Sequence, residues 1–239
     1  MEAGGQSGAA LGGRGRTEAV EPSSLQRTYA RRVAESKATI PHLYLRAEVD
    51  MGEAVALRER LRAALGDGAP GYVDMVVRAA ALALREHPRL NGAYRDARFT
   101  AHSRVNVAVT VAAQETLILP VISDADQQEL AVIAQRRAEL TQRARSGEIT
   151  RPELSGATFT VASYGDEGVD EFAPAVVHGQ GALLAAGAVR EAPLVRDGAV
   201  VAGHAMTLTL CCDQRLIQGA EGAAFLRHVR GLLEQPDRL

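Results

Sequence analysis

The stretch "LTLCCDQRLIQGAEGAAFL" at residues 208–226 decides the fold. Apolar residues alternate up to Asp213, which is typical of a strand, and a run of small residues after Gly219 is typical of a helix. A short polar turn joins the two elements, where we expect a catalytic base and its orienting acid. Glutamine stands at both places, as Gln214 and Gln218. The stretch therefore raises the question of whether the protein still does chemistry.

The composition is that of an ordinary soluble globular protein. The chain has 239 residues, of which 46% are apolar and 23% are charged, so it is long enough for a large core. A net charge of −2 provides no long-range attraction to nucleic acid or to an anionic membrane. No apolar run approaches a membrane span, and the N-terminal residues lack the apolar segment of a signal peptide. We expect a cytoplasmic protein without nucleic-acid or membrane partners.

The two cysteines, Cys211 and Cys212, are adjacent in the sequence. Neighbouring residues of a strand point to opposite faces of the sheet, so a disulfide between them would be strained. We interpret both as reduced core residues. No pair of histidine, cysteine or acidic residues has metal-ligand spacing supported by other signals, so we predict no metal.

The chain divides into a tail and one continuous domain. Residues 1–21 contain six glycines and almost no large apolar residue, which predicts a disordered N-terminal tail. Residues 22–239 alternate between helical and extended patterns without an internal repeat. Helices are predicted from Ser23 or Ser24 to the proline of "IPH" and at 52–65, 72–86, 127–146 and 220–235. Extended segments are predicted at 43–51, 99–113 (one long strand or two joined strands), 115–128 (a strand leading to a loop), 157–165, 173–189 (a loop and a strand) and in a hairpin around Asp197-Gly198.

Several blocks of sequence follow one another in a fixed order that resembles a known family. They are "RRVAESKATIPHLYLRAEVDM" (31–51), "VVRAAALALREHPRLNGAY" (76–94), "VNVAVTV" (105–111), "LILPVISDAD" (117–126), "ELSGATFTVASYG" (153–165) and the opening stretch. Together they resemble the catalytic domain of the dihydrolipoamide acyltransferase component of 2-oxoacid dehydrogenase complexes, over about residues 23–236.

This resemblance implies a chloramphenicol acetyltransferase-like fold: an α/β two-layer sandwich with a mixed β-sheet and helices, assembled as a homotrimer or a larger multiple. It also implies active-site channels between subunits and coenzyme A, or acyl-CoA, as co-substrate. Full-length relatives carry a lipoyl domain and a peripheral-subunit-binding domain. The residues before 22 are too few for either, so we expect no lipoyl attachment.

The motif of the family reads Asp-His-Arg-x-x-Asp-Gly, in which the histidine is the general base and the second aspartate fixes the geometry. The frame residues Asp213, Arg215 and Gly219 are present in this chain. The resemblance places Gln214 at the position of the base and Gln218 at that of the acid. An amide does not titrate near neutral pH, so Gln214 can hydrogen-bond a hydroxyl but cannot act as the base.

A third family residue is a serine whose hydroxyl stabilises the oxyanion of the tetrahedral intermediate. The resemblance places Ala162 at that position, with Ser163 next to it but pointing to the other face of a strand. Loss of an oxyanion donor typically slows a reaction about 10²–10³-fold, and loss of a general base about 10²–10⁴-fold. The mechanism of the family is therefore not expected here.

Histidines elsewhere are weaker candidates for a base. His178, in "VVHGQG", is either a relocated base or an exposed loop histidine. His42 matches a family histidine outside the catalytic pair, and we interpret it as a packing residue. His204 alternates with strand residues and is interpreted as structural. The remaining three lie in surface-like contexts: His87, His102 and His228.

Two charged segments have alternative interpretations. The acidic, glycine-rich segment at 164–171 is either part of a channel mouth or a solvated loop. The basic segment at 27–32 either faces an acidic partner or a coenzyme A phosphate, or is a solvated helix face.

Two functional hypotheses follow. The first is a free-standing acyltransferase of specialised metabolism that moves an acyl group from acyl-CoA, or from an acyl carrier protein, to the hydroxyl of a small-molecule acceptor. Such an acceptor can carry its own acidic group, which reduces the need for a protein base. The second is a catalytically inactive trimeric scaffold, or a partner of an active paralogue.

Overall fold

The computed structural model describes residues 18–113 and 115–239. Most of the predicted tail therefore lies outside the described residues, and residues 18–21 are exposed and belong to no helix or strand. The helices of the described part are α1 (Ser24–Thr39), α2 (Gly52–Leu65), α3 (Tyr72–Glu86), α4 (Leu130–Ser146) and α5 (Gly219–Glu234). The strands are β1 (His42–Asp50), β2 (Gly92–Arg95), β3 (Arg98–Ala101), β4 (Val107–Val109), β5 (Val111–Ala113), β6 (Thr116–Ile118), β7 (Val121–Ile122), β8 (Phe159–Ser163), β9 (Ala182–Ala186), β10 (Arg190–Arg196) and β11 (Ala199–Asp213).

Local sequence signals explain where α1 begins and ends. The hydroxyl of Ser23 accepts a hydrogen bond from the backbone N–H of Gln26, and the Gln26 side chain accepts one from the Ser23 N–H. This reciprocal capping box satisfies two N–H groups that a helix start leaves unpaired. The helix ends at Thr39, two residues before Pro41, as the sequence predicts.

The central sheet is mixed and has the strand order β1-β11-β9-β8-β4-β7, with β10 paired to the first part of β11. The pairs β4–β8 and β8–β9 are parallel, and the other pairs are antiparallel. The turn between β10 and β11 lies at Asp197 and Gly198, whose φ angles are 51° and 80°. Two consecutive positive φ angles are typical of a two-residue hairpin turn, so this predicted hairpin is confirmed.

The main core lies between the sheet and a layer formed by α2, α3, α4 and α5. Its buried members include Val49, Leu184, Leu208 and Cys212, which alternate with residues of the opposite sheet face. The predicted two-layer α/β sandwich with a mixed sheet is confirmed.

A smaller cluster covers the opposite face of the sheet at the β1–β11 end. It contains Ile40, Val176 and Cys211, with Tyr44 packed against them. Both cysteines are free and buried, one in each cluster, as predicted.

The predictions for residues 99–128 are wrong in detail. Strands β3, β4 and β5 replace the expected single or joined strand and belong to three different sheets. The side-chain amide of Asn91 donates to the backbone carbonyls of His102 and Arg104 at 3.0 and 2.9 Å, which holds this segment away from the central sheet. The second predicted strand is divided at Pro120, which has no N–H for a sheet hydrogen bond.

Candidate active site

The turn after β11 is held by an ion pair within it. The Asp213 carboxylate is buried and accepts from the Arg215 backbone N–H at 3.0 Å, from its Nε at 2.9 Å and from its Nη2 at 2.7 Å. These hydrogen bonds raise the pKa of Arg215, which therefore stays charged. The guanidinium lies 4.5 Å from the centre of the Tyr94 ring, a cation–π distance. The Asp213 N–H also donates to the carbonyl of Gly181 at 2.8 Å. These contacts fix the first half of the motif, from Asp213 to Arg215.

The two glutamines lie on the exposed side of this turn. Gln214 is exposed, and its backbone N–H donates to the carbonyl of Pro41 at 2.9 Å. Gln218 is exposed and is the N-cap residue of α5, but its side chain makes no capping hydrogen bond. Neither side chain has a hydrogen-bond partner among residues 18–113 and 115–239. Both amides are thus available to a ligand, and neither is able to take up a proton near neutral pH.

Within one subunit, Ala162 is remote from Gln214. Ala162 is buried on β8 and pairs with Ala185 of β9, which in turn pairs with Thr209 of β11. Gln214 lies five residues beyond Thr209, or roughly 16 Å along the strand at 3.3 Å per residue. A site that contains both positions therefore needs two subunits or a different set of residues.

Ser163 is half-buried at the end of β8, and its hydroxyl accepts a hydrogen bond from the Gly165 N–H at 3.1 Å. This bond shapes the turn that follows the strand. The neighbouring Thr160 hydroxyl donates to Gln180 Oε1 at 2.8 Å, and both residues are buried. Gln180 had no signal in the sequence beyond its place in "HGQG".

His178 is exposed in a turn completed by Gly179, which has a φ of 85°. No hydrogen bond of its side chain is present within the described part of the chain. The same loop reaches the motif turn three residues later, where Gly181 accepts the hydrogen bond from Asp213. The structure thus brings the loop, rather than the His178 imidazole itself, into contact with the motif.

His42 lies beside the motif, opposite Asp213 in the β1–β11 ladder. Its Nε2 accepts from the Val176 N–H at 3.1 Å, so the proton is on Nδ1, which lies 2.7 Å from the carbonyl oxygen of Ile40. Burial lowers the pKa of His42. With both nitrogens engaged and the ring stacked on Tyr44, His42 has the packing role expected from the sequence.

The β2–β3 hairpin contributes residues that the sequence analysis missed. Arg89, just before the hairpin, donates from Nη2 to the carbonyl of Leu216, in the motif turn. Its guanidinium also lies 3.5 Å from the Glu221 carboxylate and 5.6 Å from the ring centre of Phe99. Tyr94 and Phe99 face each other across β2 and β3. The sequence signal that could have predicted this hairpin is the pair of aromatic residues, Tyr94 and Phe99, on either side of a turn at Asp96 and Ala97.

The charged segments and the remaining histidines are also placed. Segment 164–171 is packed rather than fully solvated, because its Val169 carbonyl accepts from the Ala188 N–H at 2.8 Å and Glu171 pairs with Arg46 at 3.0 Å. Segment 27–32 is mainly exposed on α1.

His204 is half-buried in β11, and His102 is exposed. His87 and His228, expected at the surface, are half-buried with rings 5.6 Å apart.

Within residues 18–113 and 115–239, no three histidine, cysteine or acidic side chains come together as a metal site. In the same part of the chain, no helix has the length and apolar character needed to cross a membrane.

Comparison with known proteins identifies related sequences. The sequence model of the 2-oxoacid dehydrogenases acyltransferase (catalytic domain) family matches residues 14–239. The dihydrolipoyllysine-residue acetyltransferase component of the mitochondrial pyruvate dehydrogenase complex of Caenorhabditis elegans is 37% identical over 90% of this chain and 44% of its own length. The chain thus spans about half the length of the curated relatives it matches.

Solved structures share the fold. A dihydrolipoamide acetyltransferase from Azotobacter vinelandii, studied for the role of a serine, a histidine and an asparagine in its catalytic mechanism, has a TM-score of 0.91 at 26% identity, covering 97% of both chains. The cubic core of the pyruvate dehydrogenase multienzyme complex gives the same values. A chloramphenicol acetyltransferase has a TM-score of 0.52 at 15% identity, covering 89% of this chain and 96% of its own, which shows the fold alone.

Proposed function

Because the chain belongs to the 2-oxoacid dehydrogenase acyltransferase family, we propose that it is an O-acyltransferase of specialised metabolism. Its acyl donor is acyl-CoA or an acyl carrier protein, and its acceptor is the hydroxyl of a small molecule. The observation that carries the proposal is the retained frame: the Asp213–Arg215 pair holds a turn whose two exposed amides, Gln214 and Gln218, have no partner within the described chain.

The spacing of the Azotobacter residues supports the assignment of these positions. The intervals between its serine, histidine and asparagine equal the intervals between Ala162, Gln214 and Gln218. An asparagine in that protein means that an amide at the Gln218 position is compatible with the family's site, in contrast to the aspartate that the motif led us to expect. The larger changes are those at Gln214 and Ala162.

The reaction that this site supports is attack of an acceptor hydroxyl oxygen on a thioester carbonyl. A C–O bond forms, the C–S bond breaks, and the hydroxyl proton ends on the departing thiolate. Gln214 has an amide oxygen that can accept a hydrogen bond from the acceptor hydroxyl and orient it. Gln214 therefore positions the acceptor hydroxyl but transfers no proton, so the acceptor itself must be acidic enough to lose its proton.

The separation of Ala162 from Gln214 within one subunit supports a homotrimer, or a larger multiple, with the site between subunits. We further propose a cytoplasmic protein that uses no metal. The residues of the motif turn then meet the β8 residues of a neighbouring subunit.

A second candidate function is an inactive trimeric scaffold or a partner of an active paralogue. It is favoured by the chemistry of two side chains: Gln214 does not titrate near neutral pH, and Ala162 has no hydroxyl to donate. A scaffold does not require coenzyme A to bind.

The test is to mix the protein with acetyl-CoA, candidate hydroxyl acceptors and a reagent for free thiol, and to measure coenzyme A binding by calorimetry. We expect binding, and thiol release that depends on the acceptor. If coenzyme A does not bind and no thiol is released, the acyltransferase proposal is wrong and the inactive scaffold is the remaining candidate.

A second experiment asks whether the site is only missing its base. We expect Gln214→His to raise acetyl transfer to dihydrolipoamide, with Gln142→His, a change of the same kind at an exposed position of α4, as the control. A higher rate of acetyl transfer in Gln214→His but not in Gln142→His shows that the substrate channel is present. Equal rates of acetyl transfer in the two variants contradict a channel that lacks only its base. His178→Ala with unchanged thiol release would remove His178 as a relocated base.

A further inference from the structure

A groove lies between the end of α3 and the C-terminal half of α5, and its volume is about 420 Å³. We call it the basic groove and define it by His87, Arg227, His228, Gly231 and Arg238. Arg227 lies eight residues after Gly219, or roughly 12 Å along the helix, so the groove is separate from the motif turn.

The arginines of the basic groove have no acidic partner among the described residues that line it. No acidic side chain lines it within the described part of the chain, although the whole protein has a net charge of −2. Neither Arg227 nor Arg238 forms an ion pair with a described residue. By contrast, Arg230 on the same helix pairs with Glu234 at 2.7 Å. Two unpaired guanidinium groups at one concave surface are the donors that phosphate groups prefer.

His87 adds a response to pH. Burial first, and then the nearby His228, lower the pKa of His87, while Glu221 and Glu86 raise it and Arg227 lowers it further. His87 is therefore largely neutral at neutral pH. An anion bound in the groove beside His87 favours the protonated form of this residue, so binding and proton uptake are coupled.

We propose that the basic groove binds a small phosphate-bearing anion, and that it binds this anion more tightly at acidic than at neutral pH. Its volume accommodates more than a single phosphate group, which favours a diphosphate or a phosphate ester. This site does not depend on the acyl transfer proposed above. The competing explanation is that these basic side chains are solvated at the surface and bind no anion.

Gly231 provides a precise test. A Cβ atom at Gly231 meets no other atom within 4 Å, so a side chain there fits without a clash and extends into the groove. Gly231→Glu introduces a negative charge, and Gly231→Gln introduces the same volume without charge. We expect Gly231→Glu to abolish binding of inorganic diphosphate, and Gly231→Gln to retain at least part of it.

The arginines are tested individually. Arg227→Gln and Arg238→Gln are each expected to weaken diphosphate binding about tenfold, which is the effect of one charge-assisted hydrogen bond. Arg145→Gln is the control, because Arg145 is, like Arg227, an exposed helix residue that has no ion pair with a described residue. It is expected to leave the affinity unchanged.

Binding is measured by isothermal titration calorimetry with inorganic diphosphate, and separately with inorganic phosphate, at about pH 6 and about pH 8 and at constant ionic strength. Nuclear magnetic resonance of the His87 and His228 Cε1–H groups reports binding without any substitution. We expect tighter binding at the lower pH and shifts of both histidine signals. No saturable binding at the lower pH, equal affinities of the Gly231→Glu and Gly231→Gln variants, or an equal loss in Arg145→Gln would each overturn the proposal.

Discussion

Gln218→Asn is expected to stabilise the protein, because Gln218 is an N-cap residue that does not cap. Its backbone, with φ of −83° and ψ of 156°, already has N-cap geometry, but no side-chain capping bond is present. Asparagine is among the best N-cap residues, since its shorter side chain places an oxygen within reach of the N–H groups two and three residues on. Those N–H groups belong to Ala220 and Glu221. The first turn also contains Gly219, which weakens a helix start.

The expected gain follows from these contacts. One capping bond to an otherwise unpaired N–H is worth about 1 kcal/mol in the free energy of unfolding. For a chain of about this length, 1 kcal/mol raises the melting temperature by roughly 2–4 °C. The measurement is thermal unfolding followed by circular dichroism, with urea unfolding to obtain the free energy. The backbone needs no rearrangement, so the slope of the urea transition should not change.

Gln214→Asn is the matched control for this prediction. It makes the same chemical change at an exposed position four residues earlier, but Gln214 does not precede a helix. Its effect on the free energy of unfolding is expected to stay within about 0.5 kcal/mol. If both variants shift the melting temperature equally, or if Gln218→Asn lowers it, the capping argument is refuted.

Other perturbations test the rest of the fold. Burial lowers the pKa of His42, whose Nε2 accepts the Val176 N–H. The free energy of unfolding should therefore fall as the pH drops from about 6.5 through the folded-state pKa. His42→Gln should flatten this pH dependence in urea titrations, and an unchanged pH dependence contradicts the role of His42. Burial raises the pKa of Cys211 to about 12, so a thiol reagent at about pH 8 should label it only as fast as the protein unfolds, and rapid labelling of native protein would count against this. Gly187→Ala places a Cβ 1.8 Å from the Asp170 carbonyl oxygen and should lower the unfolding free energy by about 3 kcal/mol or more, whereas a loss below about 1 kcal/mol contradicts the contact.

Local signals predicted the helices well. The bounds predicted for α2 and α3 match the structure because apolar periodicity and turn residues are encoded within the segment itself. Residues 99–128 were predicted poorly because their structure depends on distant contacts. The side chain of Asn91 binds the carbonyl of Arg104 and directs β3 into a separate hairpin, and no local pattern contains that information.

The sequence provided candidate residues for the site but not their arrangement. Resemblance placed Asp213 and Arg215 in one motif, and their ion pair within a tight turn follows from their spacing. The Tyr94 ring beneath the Arg215 guanidinium comes from a hairpin that the sequence analysis did not predict. The separation of Ala162 from Gln214 depends on the register of three strands, which one sequence does not specify.

The residues at positions 162, 214 and 218 differ in their expected effect on catalysis, and this difference restricts the class of hydroxyl that can act as the acceptor. Gln218 keeps an amide where the Azotobacter protein has asparagine, so it removes little. Under the proposed assignment, Ala162 lacks the oxyanion donor and Gln214 lacks the base; such losses are typically about 10²–10³-fold and about 10²–10⁴-fold in rate and are not additive within one unit. An ordinary alcohol needs a base in order to attack a thioester at neutral pH, and this turn does not supply one. An enol or phenol, which ionises more readily, needs much less help, so the surviving frame suits an acidic hydroxyl that Gln214 only has to orient.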